Sequence, residues 1–137
     1  MEEMSTPTVA ELMKKPVHTL SRDEKLKEAA VIMSRENVGS VVVVDGEKPV
    51  GIVTEKDFIL ALDQDSGRLE KPIQDSMSSP LTTIRIDDHP TIGITLMAKK
   101  NITHLAVTDK KEQVVGMISQ KDLVIWFMEH PAVLLGL

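Results

Sequence analysis

The pattern of apolar and polar positions predicts short strands alternating with amphipathic helices. An apolar stripe with i, i+3, i+4 and i+7 spacing predicts the first helix, and it consists of Leu26, Ala29, Ala30 and Met33. We expect this helix to begin at Asp23, because acidic residues favour the first turn of a helix. The unbroken valine run at 41–44 predicts a strand covered on both faces. Asp45 and Gly46 then indicate a hairpin turn into a second strand.

The same pattern occurs twice along the chain. Shifted by 64 residues, Met13 aligns with Met77; after a one-residue insertion in a turn, Asp57 aligns with Asp122. Each half reads as β-α-β-β-α. The predicted organisation is an N-terminal tail (1–8), a first repeat (9–62), a linker (63–72), a second repeat (73–128) and an apolar tail (129–137). One half alone buries little apolar surface, so we expect the halves to share one core with pseudo-two-fold symmetry.

Composition excludes several kinds of chemistry. The 137 residues include no cysteine, which rules out disulfides, thiolate catalysis and cysteine-based zinc sites. The four histidines lack metal-ligand spacing and no nucleophile-elbow motif occurs, so we expect neither a metal site nor an enzyme. A net charge of -5 disfavours nucleic-acid binding. No signal peptide or membrane-spanning run is visible, so we expect a cytoplasmic protein that does not enter a membrane.

Two heptapeptides carry the most specific pattern. Residues 51–57 and 116–122 each read glycine, two apolar residues, Thr or Ser, two variable residues and Asp. Similar segments precede them, with Met-Lys-Lys-Pro at 13–16 and Met-Ser-Ser-Pro at 77–80. In this order, the motifs closely resemble those of the CBS domain, named for cystathionine β-synthase, over roughly residues 9–127. The resemblance implies an α/β (α+β) fold of tandem CBS repeats, a Bateman module in a stand-alone CBS-pair protein.

The resemblance also implies a function and a set of site residues. CBS pairs bind adenosine-containing ligands (AMP, ADP, ATP or S-adenosylmethionine) in clefts between their repeats, and commonly form disc-like homodimers. Carried over by position, one cleft would contain Ile52, Thr54, Asp57, Leu81, Thr82, Thr103 and His104. The other would contain Met117, Ser119, Asp122, Val17, His18, Gly39 and Ser40. Some relatives carry a phosphate-binding arginine where this chain has His104, which aligns with Ser40, so we expect the two sites to differ in affinity.

The chemistry of the motif supports two interpretations. A carboxylate such as Asp57 or Asp122 accepts hydrogen bonds on two oxygens, which suits the adjacent hydroxyls of a ribose. Thr54 and Ser119 would begin a helix whose N-terminus favours a phosphate. The same Thr/Ser-x-x-Asp spacing also resembles a capping box, which serves helix stability alone. The motif glycines either let the backbone approach a ligand or mark a turn or bulge.

The leading hypothesis is a regulatory module whose ligand shifts the packing of the repeats, a change that an effector protein then reads. The first alternative is a dimerisation or interaction module with empty clefts. A second alternative, a nucleic-acid-binding protein, is disfavoured by the acidic charge balance. The apolar C-terminal tail either completes the core or lies in a dimer interface, and we favour the interface.

Overall fold

A computed structural model describes residues 6–136 and has a mixed α+β fold with two three-stranded sheets. The first five residues of the predicted N-terminal tail and Leu137, the last residue of the C-terminal tail, lie outside the described residues. The first half contains β1 (Thr19–Ser21), α1 (Leu26–Glu36), β2 (Ser40–Asp45), β3 (Lys48–Thr54) and α2 (Glu55–Gln64). The second contains β4 (Thr83–Arg85), α3 (Pro90–Lys100), β5 (His104–Thr108), β6 (Val114–Ser119), α4 (Gln120–Glu129) and the short α5 (Pro131–Leu134). The predicted β-α-β-β-α order is confirmed in both halves.

The two sheets have the same topology. In each, the first strand runs parallel to the middle strand, which pairs with the third in antiparallel fashion. The middle strand β2 is covered on both faces, as its valine run predicts: Val41, Val42 and Val43 are at most 1% exposed. The predicted turn after β2 is also present, with Gly46 at a φ of 63°.

Packing divides the chain into two compact units whose limits differ from those of the repeats. The first unit comprises Val17–Thr82, and the second combines the segment ending at Pro16 with the chain from Thr83 onward. Each unit has its own cluster of buried apolar residues, whereas the repeat predicts one shared core. Val9 is fully buried in the cluster of the second unit, and Ile73 is fully buried in that of the first. The opening segment of each repeat, 9–16 in the first and 73–80 in the second, therefore contributes to the apolar cluster that is formed mainly by the other repeat.

The docking of these opening segments explains where α1 begins. The prediction that it begins at Asp23 is wrong, since Lys25 is extended and α1 starts at Leu26. The Ile73 amide donates to the carbonyl of Glu24 at 2.6 Å, and the Leu26 amide donates to that of Lys71 at 3.0 Å. The backbone before α1 thus pairs with the end of the predicted linker and the first residue of the second repeat, so it is not available to form a helical turn.

The repeated asparagines lie at the ends of equivalent helices. Asn37 and Asn101 follow α1 and α3 with φ values of 54° and 53°, in the left-handed region. Their amides donate to the carbonyls of Met33 and Met97. Asparagine tolerates this conformation better than other residues with a side chain, which gives a structural reason for its presence in both halves.

The C-terminal tail divides between core and surface. Val133, on α5, packs against the buried cluster of the second unit, whereas Leu135 is 72% exposed. Among the described residues, no helix is long and apolar enough to cross a membrane.

Candidate functional site

Each signature motif spans the end of one strand and the beginning of the following helix. Thr54 ends β3 and is the N-cap of α2, while Ser119 ends β6 and is the N-cap of α4. Asp57 and Asp122 lie in the first turn of these helices, as predicted. Because a helix N-terminus leaves backbone amides without intrahelical partners, both carboxylates fold back onto the N-cap residue.

Asp57 is held by three hydrogen-bond donors. Its Oδ2 accepts from the Thr54 amide at 2.8 Å and from the Thr54 hydroxyl at 3.3 Å. Its Oδ1 accepts from the Ser78 hydroxyl at 3.0 Å. The residue is only 8% exposed. Both oxygens of this buried carboxylate are therefore engaged by neutral groups of the same unit.

Asp122 has a different environment. Its Oδ2 accepts from the Ser119 amide at 2.9 Å, and the Ser119 hydroxyl accepts from the Asp122 amide at 3.1 Å. Its Oδ1 lies 4.0 Å from Nζ of Lys14, whose side chain is 74% exposed. The two motifs thus share the capping arrangement, but the second carboxylate oxygen faces a hydroxyl in one and a surface ammonium in the other.

The motif glycines are covered by the opening segments. A Cβ added to Gly51 would lie 2.6 Å from Sδ of Met77, and one added to Gly116 would lie 2.6 Å from Sδ of Met13. At these glycines, where a ligand is one predicted neighbour of the backbone, the side chains of Met77 and Met13 pack against the backbone instead.

His104, at the predicted phosphate-binding position, and Ser40, which aligns with it, are each the first residue of the middle strand of a sheet. His104 begins β5 and is paired in register with Ser119, and Thr103 Oγ1 lies 2.9 Å from His104 Nδ1. The Thr103 carbonyl accepts from the Gln120 amide at 2.8 Å, so one amide of the α4 N-terminus already has a partner. In the other unit, Ser40 is paired with Thr54 and is 7% exposed.

Each unit contains members of both predicted clefts. The first unit contains Ile52, Thr54, Asp57, Leu81 and Thr82 from one cleft, and Val17, His18, Gly39 and Ser40 from the other. The second unit contains Thr103, His104, Met117, Ser119 and Asp122. Among the described residues, no group of three or more acidic or histidine side chains could hold a metal ion.

Two residues outside the predicted site, Lys14 and Ser78, contact the motif carboxylates. Ser78 pairs with Ile52 through two backbone hydrogen bonds, of 2.8 and 3.0 Å, and Lys14 pairs with Met117 through two of the same lengths. A signal for them was present, because Lys14 and Ser78 align in the Met-x-x-Pro segments of the two halves. Their side chains differ in charge, so Asp122 lies near an ammonium group whereas Asp57 accepts from a neutral hydroxyl.

Comparison with known proteins gives the same family in sequence and in structure. The chain is 30% identical over 123 residues to the uncharacterized protein MK0525 of Methanopyrus kandleri, covering 88% of this chain and 63% of that one, so it spans less than two thirds of that relative. It superposes on the CBS domain pair of protein MJ0100 with a TM-score of 0.81 and 28% identity, covering 92% of this chain and 99% of that one. That structure is a complex with 5′-methylthioadenosine and S-adenosyl-L-methionine. The CBS domain protein PAE2072 of Pyrobaculum aerophilum, complexed with AMP, gives a TM-score of 0.75 at 28% identity, covering 84% and 88%.

The family model for the CBS domain matches twice, at residues 9–64 and 72–129, and each match contains one Gly-x-x-Thr/Ser-x-x-Asp motif. Two matching segments, two sheets of the same topology and two capped motif helices agree with one another, and this chain belongs to the CBS domain family as a CBS pair.

Proposed function

We propose that this CBS pair is a regulatory module that binds an adenosine-containing ligand, with Asp57 and Asp122 accepting the ribose hydroxyls. The observation that carries the proposal is the repeated carboxylate at a helix N-terminus. In each copy one oxygen is fixed by the N-cap amide, which holds the carboxylate in one orientation. An oriented carboxylate is a suitable acceptor for two adjacent hydroxyls.

The ligands of similar CBS proteins support the choice of adenosine. MJ0100 is complexed with 5′-methylthioadenosine and S-adenosyl-L-methionine, and PAE2072 with AMP. These molecules share adenine and ribose but differ in charge beyond the ribose C5′. A common mode of recognition must therefore rest on adenine and ribose, for which aliphatic side chains and a carboxylate are suitable partners.

The proposal also includes ligand contacts from the other repeat and a response to binding. Each ligand would also contact residues of the other repeat, including His104 for one site and His18 for the other. Binding would favour one packing of the repeats, and an effector protein would respond to that packing in the cytoplasm. The role of the module is regulatory and not catalytic.

Calorimetric titration of the whole chain with AMP, ADP, ATP, S-adenosylmethionine and 5′-methylthioadenosine tests the proposal. We expect at least one of them to bind, and Asp57→Ala and Asp122→Ala each to remove one binding event. The 2′-deoxy analogue of the ligand should bind about tenfold more weakly or worse, since one hydrogen bond to a charged acceptor is lost.

Matched controls lie on the same two helices. Asp63→Ala on α2 and Glu129→Ala on α4 remove exposed carboxylates outside the motifs and should leave binding unchanged. Failure of every ligand in the panel to bind would contradict the proposal. So would equal affinity for the ribose and 2′-deoxyribose forms.

A homodimer is the second part of the proposal, and a repeated apolar surface supports it. Ile59 and Leu60 on α2 are 68% and 47% exposed, and the aligned Val124 and Ile125 on α4 are 53% and 45% exposed. In the second unit, an open cavity of about 520 Å³ lies between α3 and α4, and Val124 borders it. Exposed aliphatic side chains at equivalent positions of both repeats are typical of a surface that is covered in an assembly.

Light scattering during gel filtration tests the homodimer. We expect twice the mass of the chain for the wild type, and a shift toward the monomer for Ile59→Glu combined with Val124→Glu. Gln64→Glu, which adds one negative charge at an exposed position of α2, is the control and should remain dimeric. A wild-type chain that runs as a monomer at all concentrations would rule out the homodimer without affecting the ligand proposal.

A further inference from the structure

The two opening segments place one residue each beside a motif carboxylate, at the same backbone position. Lys14 exchanges two backbone hydrogen bonds with Met117, and Ser78 exchanges the equivalent two with Ile52. The two hydrogen bonds measure 2.8 and 3.0 Å in both copies. Because the backbone is the same, the difference between the two sites at this position comes from the side chain alone.

In the Asp57 copy, the serine donates to an oxygen that a bound ribose would need as an acceptor. The Ser78 hydroxyl donates to Oδ1 at 3.0 Å, while Oδ2 is already occupied by Thr54. A ribose that approaches Asp57 must therefore share or replace a hydrogen bond that the protein already makes. At a carboxylate that is only 8% exposed, this exchange gives little net gain.

In the Asp122 copy, the oxygen that faces the opening segment is held less firmly. Lys14 Nζ is 4.0 Å from Oδ1, at the outer limit of an ion pair, and its side chain is 74% exposed. Such a pair is weak and screened by salt. A flexible lysine can move aside for a ribose hydroxyl, and its hydration compensates for the loss of the pair.

We propose that the side chains of Lys14 and Ser78 determine which ribose acceptor has the higher affinity, so that the site at Asp122 binds its adenosine ligand more tightly than the site at Asp57. This inference rests on the proposed function, and it adds which site fills first and which side chains decide the order. Serine weakens the Asp57 site by occupying the acceptor, and lysine leaves the Asp122 acceptor available.

Single-site proteins test the ranking with AMP as the calorimetric probe. Asp57→Asn leaves only the Asp122 site, and Asp122→Asn leaves only the Asp57 site; asparagine keeps an acceptor oxygen for the N-cap amide, so both proteins should fold. We expect the protein with the Asp122 site to bind AMP about tenfold more tightly, which corresponds to one exchanged hydrogen bond. Equal affinities, or the opposite order, would overturn the inference.

Substitutions at the two positions then test the cause. In the protein with only the Asp57 site, Ser78→Ala should tighten AMP binding several-fold, because Oδ1 is released. In the protein with only the Asp122 site, Lys14→Ser should weaken it several-fold, because the new hydroxyl can occupy Oδ1 as Ser78 does. The neighbouring changes Ser79→Ala and Lys15→Ser are the matched controls and should leave the affinities unchanged. Lack of an effect from both Ser78→Ala and Lys14→Ser would overturn the inference.

A neutral ligand separates this cause from simple attraction of phosphate. Lys14→Ser should weaken 5′-methylthioadenosine, which has no phosphate, by the same factor as AMP; an effect on AMP alone would overturn the inference. The proposed function fails separately. It fails if the wild type binds neither probe, or if Asp57→Asn combined with Asp122→Asn binds them as well as the wild type does.

Discussion

Met77 packs its sulfur atom onto the backbone of Gly51, so closely that a Cβ on this glycine would lie 2.6 Å from Sδ. The carbonyl oxygen of Ser78 would lie 2.8 Å from the same Cβ. Only glycine leaves room here for the opening segment of the second repeat. The packing of this segment holds Ser78 beside Asp57. A motif position that suggests ligand contact in the sequence has an internal packing role in the structure.

Gly51→Ala is expected to destabilise the fold by about 1–3 kcal/mol, the usual cost of overpacking. Gly116→Ala should cost less, because the three nearest atoms all belong to the flexible side chain of Met13, whereas Gly51 also faces a backbone oxygen. Urea denaturation of the two variants measures the difference. Equal losses of free energy would show that the Ser78 carbonyl moves as readily as a methionine side chain.

Asp57→Ala is expected to lower the free energy of unfolding by about 2 kcal/mol, because it leaves the Thr54 amide and the Ser78 hydroxyl without their charged acceptor. Asp122→Ala should cost about 1 kcal/mol, the usual loss of a helix cap. Thermal unfolding without ligand checks the order. A larger loss for Asp122→Ala would contradict the assignment of three hydrogen-bond donors to Asp57.

Asn37→Ala is expected to destabilise α1 by about 1 kcal/mol, because alanine is strained at a φ of 54°. Asn37→Gly should leave the stability within about 0.5 kcal/mol, since glycine adopts this conformation freely. The equivalent pair of variants at Asn101, with a φ of 53°, should behave in the same way. Denaturation of the four proteins tests both helix ends, and tolerance of alanine at either would refute the left-handed cap there.

Glu70 should make the stability of the first unit depend on pH. Hydrogen bonds from Lys27 at 2.9 Å and Lys25 at 3.0 Å lower the pKa of Glu70 below its usual value of 4.5. A carboxyl whose pKa is lowered on folding stabilises the fold above its unfolded pKa and loses this contribution as the pH falls through the folded value. The hydrogen bond between Lys27 and Glu70 also raises the pKa of Lys27 above its usual value of 10.5. The stabilisation that Lys27 contributes is therefore present below pH 10.5 and is lost as the pH rises through the raised pKa of the folded state.

We therefore expect Glu70→Gln to lower the melting temperature slightly at pH 7, and to have no effect well below pH 4.5. The difference at pH 7 should shrink in high salt, because all three side chains are exposed. Glu47→Gln, an exposed change in the turn between β2 and β3, is the control. A difference that persists in strong acid would rule out the ion pair as its source.

Periodicity predicted the regular elements well where the pattern was local. The stripe that begins at Leu26 specified α1, and the unbroken valines specified a strand buried on both faces. It failed at Asp23, because the backbone conformation there depends on a distant segment. The amide of Ile73 donates to the carbonyl of Glu24, some 50 residues earlier in the chain. No local pattern contains that information.

The repeat, the β-α-β-β-α order and the position of each motif carboxylate in the first turn of a helix were determined by the sequence itself. These features depend on neighbours within a few residues, through side-chain period, turn chemistry and capping. The exchange of opening segments between the repeats was decided only by the tertiary structure, because Val9 and Ile73 are buried in apolar clusters whose members lie mostly far away in the sequence. That exchange brings Lys14 to Asp122 and Ser78 to Asp57, and so makes two similar motifs chemically different.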